Sequence, residues 1–451
     1  MSQSLSFPAH ARAILRLGLP LIGSHLAQMS LHVTDTLMLG WYDVESLAAV
    51  SLGGSLYVIV FLVGSGFAWA VMPVVATAAA SGQDRQVRRV TRMAMWLSLM
   101  FTALAIPFFL GSEPVLKAMG QAPEISALAA DYLAIMGWGL FPALQVMVLK
   151  SYLSALEHTR AILLVTVGAA VLNGFVNYAL IFGNWGAPEL GVRGAALGSF
   201  IVAAASFLAL ALYAVRATPE HALFNRFWRP DRDALWRVFS LGWPIGLTSL
   251  AEAGLFSAAA IMMGWIGTIE LAAHGIAIQL ASLTFIVHVG FSQVATIRTG
   301  QAFGRRNLTD LKHGALVTGA LAGVFALMTV VMFLTVPEFL IGLFLDPDDP
   351  DRAQVLSVGV GLLAIAALFQ IADGGQVLAL GLLRGVQDTR VPMVIAAIAY
   401  WPLGLGAAYV FGFTLGMGAR GIWLGLVVGL GVAAVLMTLR FVKRGLRVAA
   451  G

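Results

Sequence analysis

The sequence predicts an all-α membrane protein: twelve transmembrane helices in two six-helix lobes, related by a pseudo-two-fold axis along the membrane normal. Three observations predict it: the apolar composition, the number and length of the apolar runs, and a match between the two halves of the chain. Of the 451 residues, 59% are hydrophobic and only 11% charged, and the mean hydropathy is +0.88. A soluble domain is about 45–50% apolar and about 25% charged, so these charges are too few to cover a water-exposed surface. The composition excludes a soluble globular enzyme, a disordered chain and a nucleic-acid binder, despite a pI of about 9.7. With no cysteine in the chain, disulfides, thiolate nucleophiles and Cys-ligated metals are excluded as well. The 49 glycines suit helices that pack closely in lipid.

A bilayer core takes about 20 apolar residues per helix. Such runs fall at about 14–39, 47–76, 91–111, 126–149, 161–183, 194–215, 236–263, 272–297, 313–335, 355–380, 391–413 and 420–440. Arg12 and Arg16 lead into the first, which continues to about Leu39 and is too long for a signal h-region, so it reads as a span and not as a cleavable signal. An even number of spans puts both termini on one side, and the loop charges choose that side. The termini and the even-numbered loops hold 23 of the 27 Lys and Arg, the odd-numbered loops only Lys117, Arg193, Arg352 and Arg420. Both termini are therefore predicted cytoplasmic. The acidic run Asp346, Asp348, Asp349 and Asp351 falls on the opposite side and reads as a solvated loop.

The halves repeat. Leu17-Gly18-Leu19-Pro20 matches Leu241-Gly242-Trp243-Pro244 at an offset of 224, which also pairs Gly40-Trp41 with Gly264-Trp265 and Leu47-Ala48-Ala49 with Leu271-Ala272-Ala273. Thr159-Arg160 pairs with Thr389-Arg390 at 230, and Arg193-Gly194 with Arg420-Gly421 at 227. Six spans duplicated enter the membrane from the same side in both halves, so the repeats are parallel. This predicts an N-terminal lobe over 1–215, a basic cytoplasmic linker over 216–235 and a C-terminal lobe over 236–451. Two facing bundles leave a central cleft, and rocking about it gives alternating access.

An ionisable side chain deep in a span costs about 2.5–3.5 kcal/mol on insertion scales. Three acids lie that deep: Asp35 in span 1, Glu252 in span 7 and Asp373 in span 10. Asp131, near the start of span 4, reaches towards the interface. No Lys or Arg is read as comparably deep, so each acid is expected to be protonated, hydrated or bound to a cation. Polar neighbours accompany them. Asn173 and Asn177 share a face of span 5, Gln28 and Asp35 a face of span 1, Glu252 and Phe256 a face of span 7, and Gln370 and Asp373 a face of span 10. The repeat partner of Gln28 is Glu252 and that of Asp35 is Ala259, so the acids are not symmetric. His25, His32, His274 and His288 lack metal-ligand spacing and read as interhelical hydrogen-bonding groups. Gly421, Gly425 and Gly429 read as close helix packing. The chain carries no Walker lysine motif, HExxH or nucleophile elbow, and it is read as not being an enzyme.

Together these features resemble the multidrug and toxic compound extrusion (MATE) family, in its bacterial NorM-like branch. The resemblance spans roughly residues 10–440. It rests on Leu17-Gly18-Leu19-Pro20, on Thr34-Asp35-Thr36 followed by Gly40, on Pro244 with Glu252, and on Leu153-x3-Glu157-x-Thr159-Arg160 with its repeat Leu383-x3-Gln387-x-Thr389-Arg390. It implies a monomeric, multi-pass antiporter of the bacterial inner membrane that exports cationic amphiphilic small molecules. The drive would be inward Na⁺ or H⁺, with no other cofactor. It further implies coupling at Glu252, Asp373 and Asp35, with Na⁺ held by Glu252 and Asp373 if sodium is the ion. Substrate contacts would come from Asp35, Asn173, Asn177, Gln28, Phe256 and Gln370. Where the family has a tyrosine near the span 10 acid, this sequence has Phe369 and Gln370. Two other classes stay open: a related flippase or narrow-substrate exporter, and a non-transporting membrane protein. A flippase of phosphate-bearing cargo would carry deep arginines and lysines, and a membrane enzyme would need a convergent catalytic or metal site.

Overall fold

In lipid the backbone satisfies its N–H and C=O groups either within a helix or within a closed barrel, and continuous apolar runs of about 20 residues suit the helix. The computed structural model describes residues 6–446, and among these the chain is helical with no strand. The first half comprises α1 (Phe7–Tyr42), α2 (Val44–Ala80), α3 (Asp84–Leu110), the short α4 (Ser112–Ala118), α5 (Pro123–Ala155), α6 (Thr159–Phe182) and α7 (Val192–Ala217). The second comprises α8 (Arg232–Ile266), α9 (Thr268–Gly304), α10 (Leu308–Thr335), the short α11 (Pro337–Gly342) and α12 (Arg352–Gly385). It closes with α13 (Arg390–Thr414) and α14 (Gly418–Gly445). Eleven of these are long and apolar enough to cross a membrane. The twelfth long helix, α1, carries the polar groups His25, Gln28, His32 and Asp35 within its 36 residues. Lipid-facing flanks are plain: Leu104 and Leu164 are 80% and 72% exposed on α3 and α6.

The repeat reappears in backbone geometry. Gly82 and Arg306, 224 apart, both take positive φ (70° and 53°), and each turn closes with a bond from the next N–H to a carbonyl five residues back, Gln83 to Ala78 and Asn307 to Ala302. Glu157 and Gln387, 230 apart, do likewise at φ 67° and 61°, with His158 N bonded to Leu153 O and Asp388 N to Leu383 O, both at 2.9 Å. The Leu-x3-Glu/Gln-x-Thr-Arg motif is thus a left-handed helix stop, a structural signature and not a chemical one. Helices α4 and α11 occupy matching places after the third span of each half, which the apolar runs did not reveal.

The chain divides into two compact units. One takes residues up to 18 together with those from 248 onward; the other takes 19–247. The division cuts α1 and α8 within a few residues of Pro20 and Pro244, where the missing N–H interrupts the helical ladder. The first half of α8 therefore groups with the first six spans and the start of α1 with the last six.

Within the unit 19–247, the segment ahead of α8 is tied to α3. Asp231 accepts from Ala234 N at 3.1 Å, capping α8. Its carboxylate also takes both Arg89 Nε and Arg89 Nη2, the second at 3.0 Å. The Arg89 hydrogen bond holds the Asp231 carboxyl below the usual carboxylate range. A depressed carboxylate stabilises the fold above its unfolded value of about 3.9 and loses that contribution as pH falls through its own lower value. Asp231→Ala is expected to cost about 1–2 kcal/mol at neutral pH. In thermal unfolding followed against pH, the gap between wild type and variant should close below about pH 4.

Candidate functional site

Each unit carries a polar cluster centred on acids within its long helices. In the unit 19–247 the centre is Asp35, on α1. Asn173 and Asn177, one turn apart on α6, both aim at it: their Nδ2 groups donate to Asp35 Oδ1 at 2.7 and 2.5 Å. Both asparagines are buried. Gly198 on α7 lets that helix close over them, since a Cβ there would lie 2.4 Å from Asn177 Oδ1. Two neutral amides fix one carboxylate oxygen without cancelling its charge. An acid so held is positioned to take a proton or a cation on its remaining lone pairs. Gln28, two turns earlier on α1, is not drawn into this cluster. Its Oε1 accepts from Lys150 Nζ of α5 at 3.2 Å.

In the other unit the centre is Glu252 on α8 with Asp373 on α12. The two are close enough to interact electrostatically, and Tyr400 and Arg384 lie within range of Glu252. Asp373, Gln370 and Gln376 are almost fully buried on α12. Gln376 Nε2 donates to Tyr400 Oη at 2.5 Å. Many polar atoms here find no hydrogen-bond partner among the described residues: Glu252 Oε1, Asp373 Oδ1, Gln376 Oε1, both amide atoms of Gln370 and both ring nitrogens of His288. A buried group left unbonded costs about 1–3 kcal/mol, so these are the atoms here with hydrogen-bonding capacity to spare. Phe256 closes one flank, packed edge-on against Phe369 at 5.9 Å, which packs against Trp423 at 5.3 Å. Trp423 Nε1 in turn donates to His274 Nδ1 at 3.1 Å, joining α14 to α9.

The donors suit a hard monovalent cation or a proton. They are carboxylate, amide and hydroxyl oxygens, and no group of three or more His, Cys, Asp or Glu able to hold a metal ion occurs among the described residues. The pair Glu252 and Asp373 would therefore hold Na⁺ only with help from neutral oxygens such as those of Gln370, Gln376 and Tyr400.

One sequence expectation needs correction. Basic residues do lie within the long helices: Lys150 of α5 meets Gln28 and Arg384 of α12 comes within electrostatic range of Glu252, because both helices continue several residues past their apolar runs. The repeat gives this a pattern. Gln28 of the first span meets a lysine of the fourth, and its repeat partner Glu252 lies in electrostatic range of an arginine on the equivalent helix. A neighbour that the sequence did not expose is Tyr400 of α13, within electrostatic range of Glu252 and Asp373, where the helix widens into π turns over Ala399–Leu405 around Pro402. Asp131 pairs in the open with Arg193, at 2.9 Å, and the run from Asp346 to Asp351 is an exposed loop.

The MatE family model matches residues 20–179 and 244–410, one segment in each half. The chain belongs to the MatE family, that of the multidrug and toxic compound extrusion transporters. Among its relatives, the "Probable multidrug resistance protein NorM" of Agrobacterium fabrum is 46% identical over 98% of this chain and 95% of its own. The protein of the same description from Rhizobium meliloti is 46% identical over 99% and 96%, and that of Synechocystis 36% over 98% and 96%. Solved MATE structures share the fold. An outward-facing multidrug resistance MATE family transporter of the MOP superfamily superposes with a TM-score of 0.87 at 20% identity, over 98% of this chain and 97% of that one. The eukaryotic MATE transporter AtDTX14 does so with 0.87 at 17%, over 98% and 99%. A MOP superfamily transporter from Pyrococcus furiosus, described as having a binding pocket of reverse polarity, matches at 0.86 and 20%, over 98% and 97%.

Proposed function

We propose that the protein is a multidrug efflux antiporter that exports organic cations in exchange for Na⁺ or H⁺ by alternating access of its two lobes, with both termini in the cytoplasm of a bacterial inner membrane. The observation that carries this reading is the pair of acidic clusters within the long helices. Asp35 accepts hydrogen bonds from the amides of Asn173 and Asn177, and Glu252 and Asp373 sit among buried polar atoms that have no hydrogen-bond partner among the described residues. Acids arranged this way favour a cationic ligand and can exchange it for a smaller cation. In the outward-facing state Na⁺ or H⁺ neutralises Glu252 and Asp373, with Asp35 joining them, and the hold on a cationic drug weakens. The neutralised form then returns inward, because burying bare carboxylates is costly. The ion drives the switch only through its different affinity for the two states. Asn173, Asn177, Gln28, Phe256 and Gln370 line the drug's path in this reading.

Ethidium efflux by purified protein in liposomes tests it, once under an imposed Na⁺ gradient and once under an imposed pH gradient. Efflux is expected under one of the two, which names the ion. No efflux under either, from folded protein, overturns cation antiport in favour of a narrow-substrate exporter or a flippase.

A further inference from the structure

One basic feature lies apart from the acidic clusters. Four arginines of α3, Arg85, Arg88, Arg89 and Arg92, follow i, i+3, i+4, i+7 spacing and share one face. The segment between α7 and α8 adds Arg226 and Arg229, and together the six line a cavity of about 530 Å³. The segment is fastened to α3. Arg92, 7% exposed, donates through Nη1 to Asn225 O and Arg226 O, both at 2.8 Å. Trp96 stacks on Phe227 at 5.8 Å and donates to its carbonyl at 2.9 Å. Arg226 accepts a left-handed φ of 54° to take its place.

The charge in this cavity is unbalanced. Asp231 is the only acid among its lining residues, and Arg89 occupies it. Arg85, Arg88, Arg226 and Arg229 make no salt bridge among the described residues. The buried Arg92 Nε has no hydrogen-bond partner there either. Membrane orientation needs positive charge on one side. It does not need six guanidiniums folded around a cavity with one N–H buried and unbonded. Guanidinium forks match phosphate oxygens in geometry and charge. Trp228 and Trp236, 76% and 65% exposed on the same segment and the start of α8, are of the type that rests at headgroup level, where basic pockets take anionic headgroups.

We propose that this cavity binds a phosphate group, supplied by the headgroup of an anionic phospholipid or by a soluble phosphate. The test uses full-length protein in neutral detergent, titrated separately with phosphatidylglycerol, phosphatidylcholine and inorganic pyrophosphate, with binding read by native mass spectrometry and by the shift in melting temperature. Phosphatidylglycerol is expected to bind more tightly than phosphatidylcholine. Arg88→Gln with Arg229→Gln should weaken the binding about tenfold or more, while Lys443→Gln with Arg444→Gln, also basic but outside the cavity, should leave it unchanged. Melting without added ligand establishes that each variant is folded; should the double variant not fold, Arg85→Gln alone replaces it. Pyrophosphate binding with the same dependence on Arg88 and Arg229 supports the site and assigns it a soluble source. Equal affinity in wild type and the cavity variant for both phosphate probes, or an equal loss in the Lys443 and Arg444 variant, overturns the proposal.

Discussion

Asp373→Asn is expected to bring gradient-driven export down to the rate of empty liposomes while the protein still inserts and folds. The substitution keeps the shape of a fully buried side chain and removes its charge. The packing around α12 is therefore preserved, and the cost of holding a bare carboxylate away from water disappears. Melting should be unchanged or slightly higher. Coupling should not survive, because a ligand shifts a two-state equilibrium only by its differential affinity, and moving it from 1:99 to 99:1 takes about 10⁴-fold. Asp373 interacts with Glu252 across the helix boundary. Removing one of two carboxylates removes the feature that tells the bare cluster from the neutralised one. A second readout separates this from a general defect. The coupling ion should raise the melting temperature of wild type, by about 2.7 kcal/mol of stabilisation at a hundredfold excess over its Kd, and should leave Asp373→Asn unmoved. Wild-type export in the variant would sink the shared-carboxylate mechanism.

The elements of this site differ in how readily sequence exposes them. Asp35, Glu252 and Asp373 stand out because an acid in an apolar run is expensive wherever it points. Asn173 and Asn177 stand out because their spacing puts them on one face. Their convergence on a single oxygen of Asp35 is a contact between residues 138 and 142 positions apart, to which local periodicity is blind. Tyr400 is further out of reach. It meets Gln376 across a helix boundary, and the π turns around Pro402 shift its register from that of a regular helix. Lys150 and Arg384 were hidden for a different reason. Hydropathy marks where a chain is apolar enough for lipid, not where a helix ends, so a charge in the last turns is counted with the loop. The long helices themselves were legible because each holds an apolar run about as long as the bilayer requires, and stops between them recur at the repeat offset.

Gly425→Leu is expected to have the largest effect on folding, with little or no monodisperse protein recovered. The three glycines of α14 at 421, 425 and 429 bring its backbone against α13. A Cβ on Gly425 would fall 2.2 Å from Ala408 N and 2.3 Å from Ala408 Cα. Those atoms belong to a helix backbone and cannot swing aside as a side chain does, so the two helices must separate. In water a gap of that kind is opposed by the hydrophobic effect. In lipid, where tails are as apolar as leucine, association rests on close van der Waals fit, and separation removes it along the whole contact. Overpacking ordinarily costs about 1–3 kcal/mol, and a clash with rigid backbone lies at or beyond the upper end. The consequence reaches the site, because α13 also carries Tyr400, whose hydroxyl bonds Gln376 three residues after Asp373 on α12. Gly425→Ala is the graded comparison: any protein recovered should lose ion-dependent stabilisation before it loses helix content in circular dichroism. Full recovery of Gly425→Leu with wild-type melting would refute the close contact between α13 and α14.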